Sequence, residues 1–99
     1  MSDSATATAT ASVVTATPER YAKQLASHLS RRSEIREDPE GQTIVLTDGE
    51  CQLRPHDDRL DLHVRAATEG AVDCITDVVG SHLERFGQRN ELHVEWQRP

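Results

Sequence analysis

Five histidines and two cysteines carry most of the chemistry open to this 99-residue sequence. His63 and His93 stand in "RLDLHVRA" (59–66) and "ELHVEWQ" (91–97), where apolar and polar residues alternate. In an extended strand successive side chains point to opposite faces. His63 therefore shares a face with Asp61 and Arg65, and His93 shares one with Glu91 and Glu95. If the two strands were close, His63, His93 and Glu95 would make a two-histidine, one-carboxylate set, a donor combination that holds iron or zinc. With Arg65 on the same side, His63, Arg65, His93 and Glu95 make the candidate ligand-binding group. The plainer reading is a solvated sheet face with cross-strand ion pairs, and that reading is favoured. This group is still preferred over the other clusters, because it would lie on an accessible surface.

The remaining candidates read as structure. His28, in "RYAKQLASHLSRR", flanks an apolar helical face set by Tyr21 and Leu25, and is expected to be half-buried and bonded to a backbone group. His82 borders the stripe of a second helix. If the two met, with Cys74 or Cys51 nearby, they could hold a soft or borderline metal. No pair of candidate ligands has the spacing of a strong metal motif. His56-Asp57-Asp58 follows Pro55 and reads as a turn. Cys51 shares parity with Leu53 and Cys74 lies beside a helical stripe, so both are expected to be buried packing thiols. Asp73 and Asp77 sit on the wet side of a helix, near the end where acidic residues are favoured. There is no Gly-rich phosphate loop, no GxSxG and no HExxH.

The elements that must position these residues are legible. Residues 1–11, an Ala/Thr/Ser run, are expected to form a disordered tail. A single domain is expected over 12–98. "SVVTAT" reads as a strand at about 12–16. Thr17-Pro18-Glu19 starts a helix, with Thr17 as cap and Pro18 at the first position. Arg31 and Arg32 meet its negative end. "SEIRE", "QTIVLT" and "CQLR" are strands separated by turns at "DPEG" and Asp48-Gly49. Residues 59–66 form the cleanest strand. Thr68 and Glu69 open a second helix with Val72, Ile75, Val78, Val79, Leu83 and Phe86 inward and Asp73, Asp77, Ser81, Glu84 and Gln88 outward. Gly80 is read as permitting a close approach to the sheet, and Gly87 as a left-handed C-terminal cap. A last strand is expected at 91–97. The predicted order is β-α-β-β-β-β-α-β: an α+β, two-layer sandwich of a mostly antiparallel sheet with both helices on one face and a polar opposite face.

Composition excludes several functions. The formal net charge is −6, against the clustered Lys and Arg that nucleic acid or an anionic membrane surface demands. No segment is apolar for the roughly 18 residues of a membrane span. Two cysteines without CxxC make no disulfide framework, and the expectation is a cytoplasmic protein with reduced thiols. With 35% hydrophobic and 3% aromatic residues the core must be aliphatic. A homodimer would be a reasonable way for so small a domain to gain burial.

"RYAKQLASHLSRR", "GECQLRP" and "VVGSHLERFGQRNELHVEW", in that order over roughly 12–97, resemble a family of short bacterial proteins, domain of unknown function 2218. The resemblance implies an association with siderophore-interacting, iron-uptake proteins and carries no catalytic residue. The element order also resembles one half of a TATA-binding-protein-like fold, with an added last strand. The favoured reading is a small non-enzymatic binding or accessory module, needing no cofactor, whose partner is a protein or a small molecule. The alternative is a small metal-dependent enzyme built on His63, His93 and Glu95.

Overall fold

The alternation of residues 59–66 sets the frame of the whole domain. The computed structural model describes residues 7–31, 33–46, 49–87 and 92–98. Seven elements follow one another: β1 (Ala7–Val14), α1 (Pro18–Leu29), β2 (Glu34–Asp38), β3 (Gly41–Leu46), β4 (Gly49–Pro55), β5 (Arg59–Ala66) and α2 (Glu69–Phe86). The class is α+β, with one antiparallel sheet in the order β1-β5-β4-β3-β2. Leu60, Leu62, Val64 and Ala66 of β5 are buried, and the same parity continues through Ala7, Ala9, Ala11 and Val13 on one side and Cys51, Leu53 and Ile44 on the other. All join one aliphatic core with Leu25 and Leu29 of α1 and Val72, Val79 and Leu83 of α2. Both helices therefore cover one face and leave the other polar.

β1 and β2 occupy opposite edges of the sheet, so the chain must cross four strand spacings between them. At about 4.8 Å each that is roughly 19 Å. A helix of 12 residues spans about 18 Å, which suits α1 to the crossing. Its buried side is Tyr21, Ala22, Leu25, Ala26 and Leu29.

Local chemistry explains several departures from expectation. β1 begins at Ala7, so residues 7–11 belong to the sheet rather than to a tail. Their pattern is a true period of two whose apolar member is only a methyl group, and Val64 and Leu62 opposite Ala9 and Ala11 supply the burial that alanine lacks. Thr17 precedes α1 but makes no side-chain cap; its N–H instead donates to Thr15 Oγ1 at 3.1 Å. Thr68 does cap α2, accepting from the Ala71 N–H at 3.0 Å. Cys74 is exposed rather than buried, because it lies about 200° around the helix from Val72. Gly87 has φ −98°, so left-handed freedom is not its reason. A Cβ there would stand 2.4 Å from the Leu92 Cβ, and the glycine is needed for space. Gly41 closes the β2–β3 turn at φ 152°, a backbone that L side chains rarely adopt, with the Leu53 carbonyl 2.1 Å from where a Cβ would sit.

The expected eighth element is not a strand. The segment 92–98 forms one bridge with β1, in which the N–H groups of Thr10 and Gln97 each donate to the other's carbonyl at 3.0 and 2.7 Å. Elsewhere α2 holds it: the Val94 N–H donates to Glu84 Oε2 at 3.1 Å, and Leu92 and Val94 are buried. Gly80 admits Trp96, whose Nε1 would lie 3.1 Å from an added Cβ, so the close approach is to this segment and not to the sheet. Residues 1–6, Arg32, Gln88, Glu91, Thr47 at the end of the expected strand and Asp48 of the expected Asp48-Gly49 turn lie outside the described residues; Gly49 itself opens β4.

Candidate functional site: the polar face of the sheet

The alternation that buries one side of β5 delivers Asp61, His63 and Arg65 to the other, with Ser12, Thr10 and Thr8 beside them on β1 and Arg54, Gln52 and Glu50 on β4. The half of this face nearest the β2–β3 and β4–β5 turns is internally paired. Asp61 is one centre. Its Oδ1 accepts from Ser12 Oγ at 2.5 Å and from Arg59 Nε at 3.1 Å, while His56 Nε2 lies 3.0 Å from Oδ2. Burial works against the Asp61 charge, but the hydrogen bonds from Ser12 and Arg59 and the neighbouring Arg59 and His56 outweigh it and hold the carboxyl below its ordinary range. Ser, Asp and His meet here in the wrong order for nucleophilic catalysis, because the serine hydroxyl is bonded to the carboxylate and not to the imidazole.

Asp38 is the second centre. It accepts from Arg54 Nη1 at 3.1 and 3.2 Å, from Thr43 Oγ1 at 3.2 Å and from the Glu40 N–H at 3.1 Å. Arg54 is on β4 and Asp38 on β2, and Gly41 between them offers no side chain to block the reach. Burial again opposes the Asp38 charge, and its hydrogen bonds together with Arg54 lower the carboxyl overall. Around these turns a cleft of about 750 Å³ opens towards the start of α1, bordered by Glu19, Lys23, Glu40, Arg54, His56 and Asp61.

The other half of the face differs. Among the described residues His63 and Arg65 make no hydrogen bond and no ion pair, although Glu50 stands opposite Arg65 and Gln52 opposite His63. Glu50 is engaged by Gln52 Nε2 at 3.3 Å. A depression of about 420 Å³ runs from His63 and Thr10 to Glu95 and Gln97.

Of the four residues singled out from sequence, His63 stands beside Arg65 on β5 and His93 lies against Glu95. His63 and Arg65 are same-face neighbours and Glu95 borders the His63 depression. His93 is 70% exposed, 3.5 Å from Glu84 of α2 and 3.5 Å from Glu95. The metal set His63, His93 and Glu95 is not assembled, and among the described residues no group of three His, Cys, Asp or Glu side chains could hold a metal ion. The reason is topological: β1 lies between β5 and the last segment, which is drawn towards α2. His28 also departs from expectation, being exposed and without a backbone bond among the described residues; it is His82 whose Nδ1 donates to the Val78 carbonyl, at 2.6 Å. Cys51 is fully buried, and burial, with the charge of Glu50 adding, pushes its thiol up to about 12.

A sequence family described as "Uncharacterized protein conserved in bacteria (DUF2218)" matches residues 10–97. The NMR structure of PA4090 from Pseudomonas aeruginosa is similar, with a TM-score of 0.76 and 27% sequence identity, the match covering 92% of this chain and 95% of that one. No curated protein matches the chain. Among the described residues no helix is long and apolar enough to cross a membrane.

Proposed function

The chain belongs to the bacterial DUF2218 family, and from that premise we propose that it is a non-enzymatic binding module working through His63 and Arg65 on its polar sheet face. One observation carries this reading. The other charged side chains of the face are engaged: Glu34 with Arg36, Asp38 with Arg54, Asp61 with Arg59 and His56, Glu50 with Gln52. His63 and Arg65 alone keep all their donors free among the described residues. A guanidinium with five N–H donors and an adjacent imidazole suit an anionic group, whether a carboxylate on a protein partner or an acidic small molecule. The Thr8 and Thr10 hydroxyls on the neighbouring strand would complete such a contact. The sequence resemblance makes siderophore-interacting proteins of iron uptake the partner class to try first, and the two cysteines without CxxC favour the cytoplasm as the compartment.

A pull-down with a siderophore-interacting reductase tests both parts. The expected result is enrichment over a control, lost in Arg65→Glu and kept in Arg85→Glu on α2. Enrichment that survives Arg65→Glu moves the interface off this face. No enrichment with the wild-type chain removes the iron-uptake context.

A further inference from the structure

His28 lies in the last turn of α1 and His82 in the third quarter of α2, yet their ring centroids are 4.7 Å apart with the planes tilted by 52°. Phe86 closes the group, edge-on to His28 at 5.5 Å and tilted to His82 at 6.1 Å. A carbonyl can only accept, so the bond from His82 Nδ1 to Val78 O places the ring proton on Nδ1 and leaves a lone pair on Nε2, which has no partner among the described residues. That tautomer and that backbone tether are what a metal-ligating histidine shows. His28 has no hydrogen-bond or ion-pair partner among the described residues, so its lone pair is also available.

From this geometry we infer that His28 and His82 form a two-imidazole site for a borderline divalent cation such as zinc or nickel, clamping α1 to α2. The distances fit. With metal–nitrogen bonds of about 2.1 Å and a ring nitrogen about 1.1 Å from its centroid, a shared metal sits about 3.2 Å from each ring centre. Centroids 4.7 Å apart then subtend roughly 95° at the metal, a cis angle suited to six-coordinate nickel and near that of four-coordinate zinc. The tilt keeps the rings from stacking face to face, where their lone pairs would run parallel instead of converging. Water fills the other positions, since no third His, Cys, Asp or Glu joins them among the described residues. The site is separate from the polar sheet face, because both helices lie on the opposite side.

The test is a titration of the full chain with zinc chloride, read by thermal unfolding and by the NMR signals of the five histidine rings. Metal at about a hundredfold its dissociation constant is expected to raise Tm by roughly 10 °C or more, reversed by a chelator. The ring signals of His28 and His82 are expected to shift while those of His56, His63 and His93 stay. His28→Gln and His28→Leu, both at an exposed position and expected to fold, remove the Tm rise. No rise in the wild-type chain, a rise that survives both variants, or signal shifts centred on the other three histidines would each overturn the site.

Discussion

At Asp61 a serine hydroxyl, a guanidinium and an imidazole converge on one carboxylate, and the consequence is a pH dependence. The folded-state pKa lies below the unfolded one, so the unfolded chain binds more protons in acid. The stability this supplies is present above about pH 4, the ordinary Asp range, and is lost as pH falls through the folded value. Urea unfolding at pH 7 and pH 3 is expected to show a smaller acid loss for Asp61→Asn than for the wild-type chain. The thiols give a second residue-scale outcome. Cys74 is expected to react with a thiol reagent in the native protein, and Cys51 only after unfolding, because burial keeps it protonated. A count of one reactive thiol before denaturant and two after checks this. Strand parity alone was enough to place His63 and Arg65 together on the outer face. Asp61 as a hub was not readable, because its partner Ser12 is set by a β1–β5 register that local sequence does not contain.

Among the elements, the hairpin turn at Gly41 and the end of α2 at Gly87 show two different kinds of constraint. Gly41→Ala combines a positive φ with a backbone clash against Leu53 and is expected to cost about 3 kcal/mol or more. Gly87→Ala has no strained φ to add, but its Cβ would meet the Leu92 Cβ, which moves only with its own backbone, and about 1–3 kcal/mol is expected. Denaturant midpoints for both variants measure the difference. The two helices and the β2–β5 meander were legible because turn residues and periodicity agreed there, although of the expected caps only Thr68 makes its bond. Ala7–Ala11 escaped notice because a methyl group gives little contrast with threonine. The segment 92–98 looked like a strand because Leu92, Val94 and Trp96 alternate. A row of alternate side chains can be buried by a helix as well as by a sheet, and here Glu84 and Gly80 on α2 take it up.

For the molecule as a whole, that last segment is a strap across the edge of the core. A chain ending at Gly87 loses the burial of Leu92 and Val94, about 3–5 kcal/mol, and is expected to unfold at lower urea while keeping the same helical signal in circular dichroism. The sheet order has another consequence. Val14 pairs with Arg59, 45 positions later, and Ala7 pairs with Ala66. During synthesis at roughly 5–20 residues per second, β1 therefore leaves the ribosome seconds before its partner exists. A strand of isoleucine and phenylalanine would risk pairing with other chains in that interval. Small alternating residues let this one wait, and the greasy side chains that bury it arrive only with the strand that receives it.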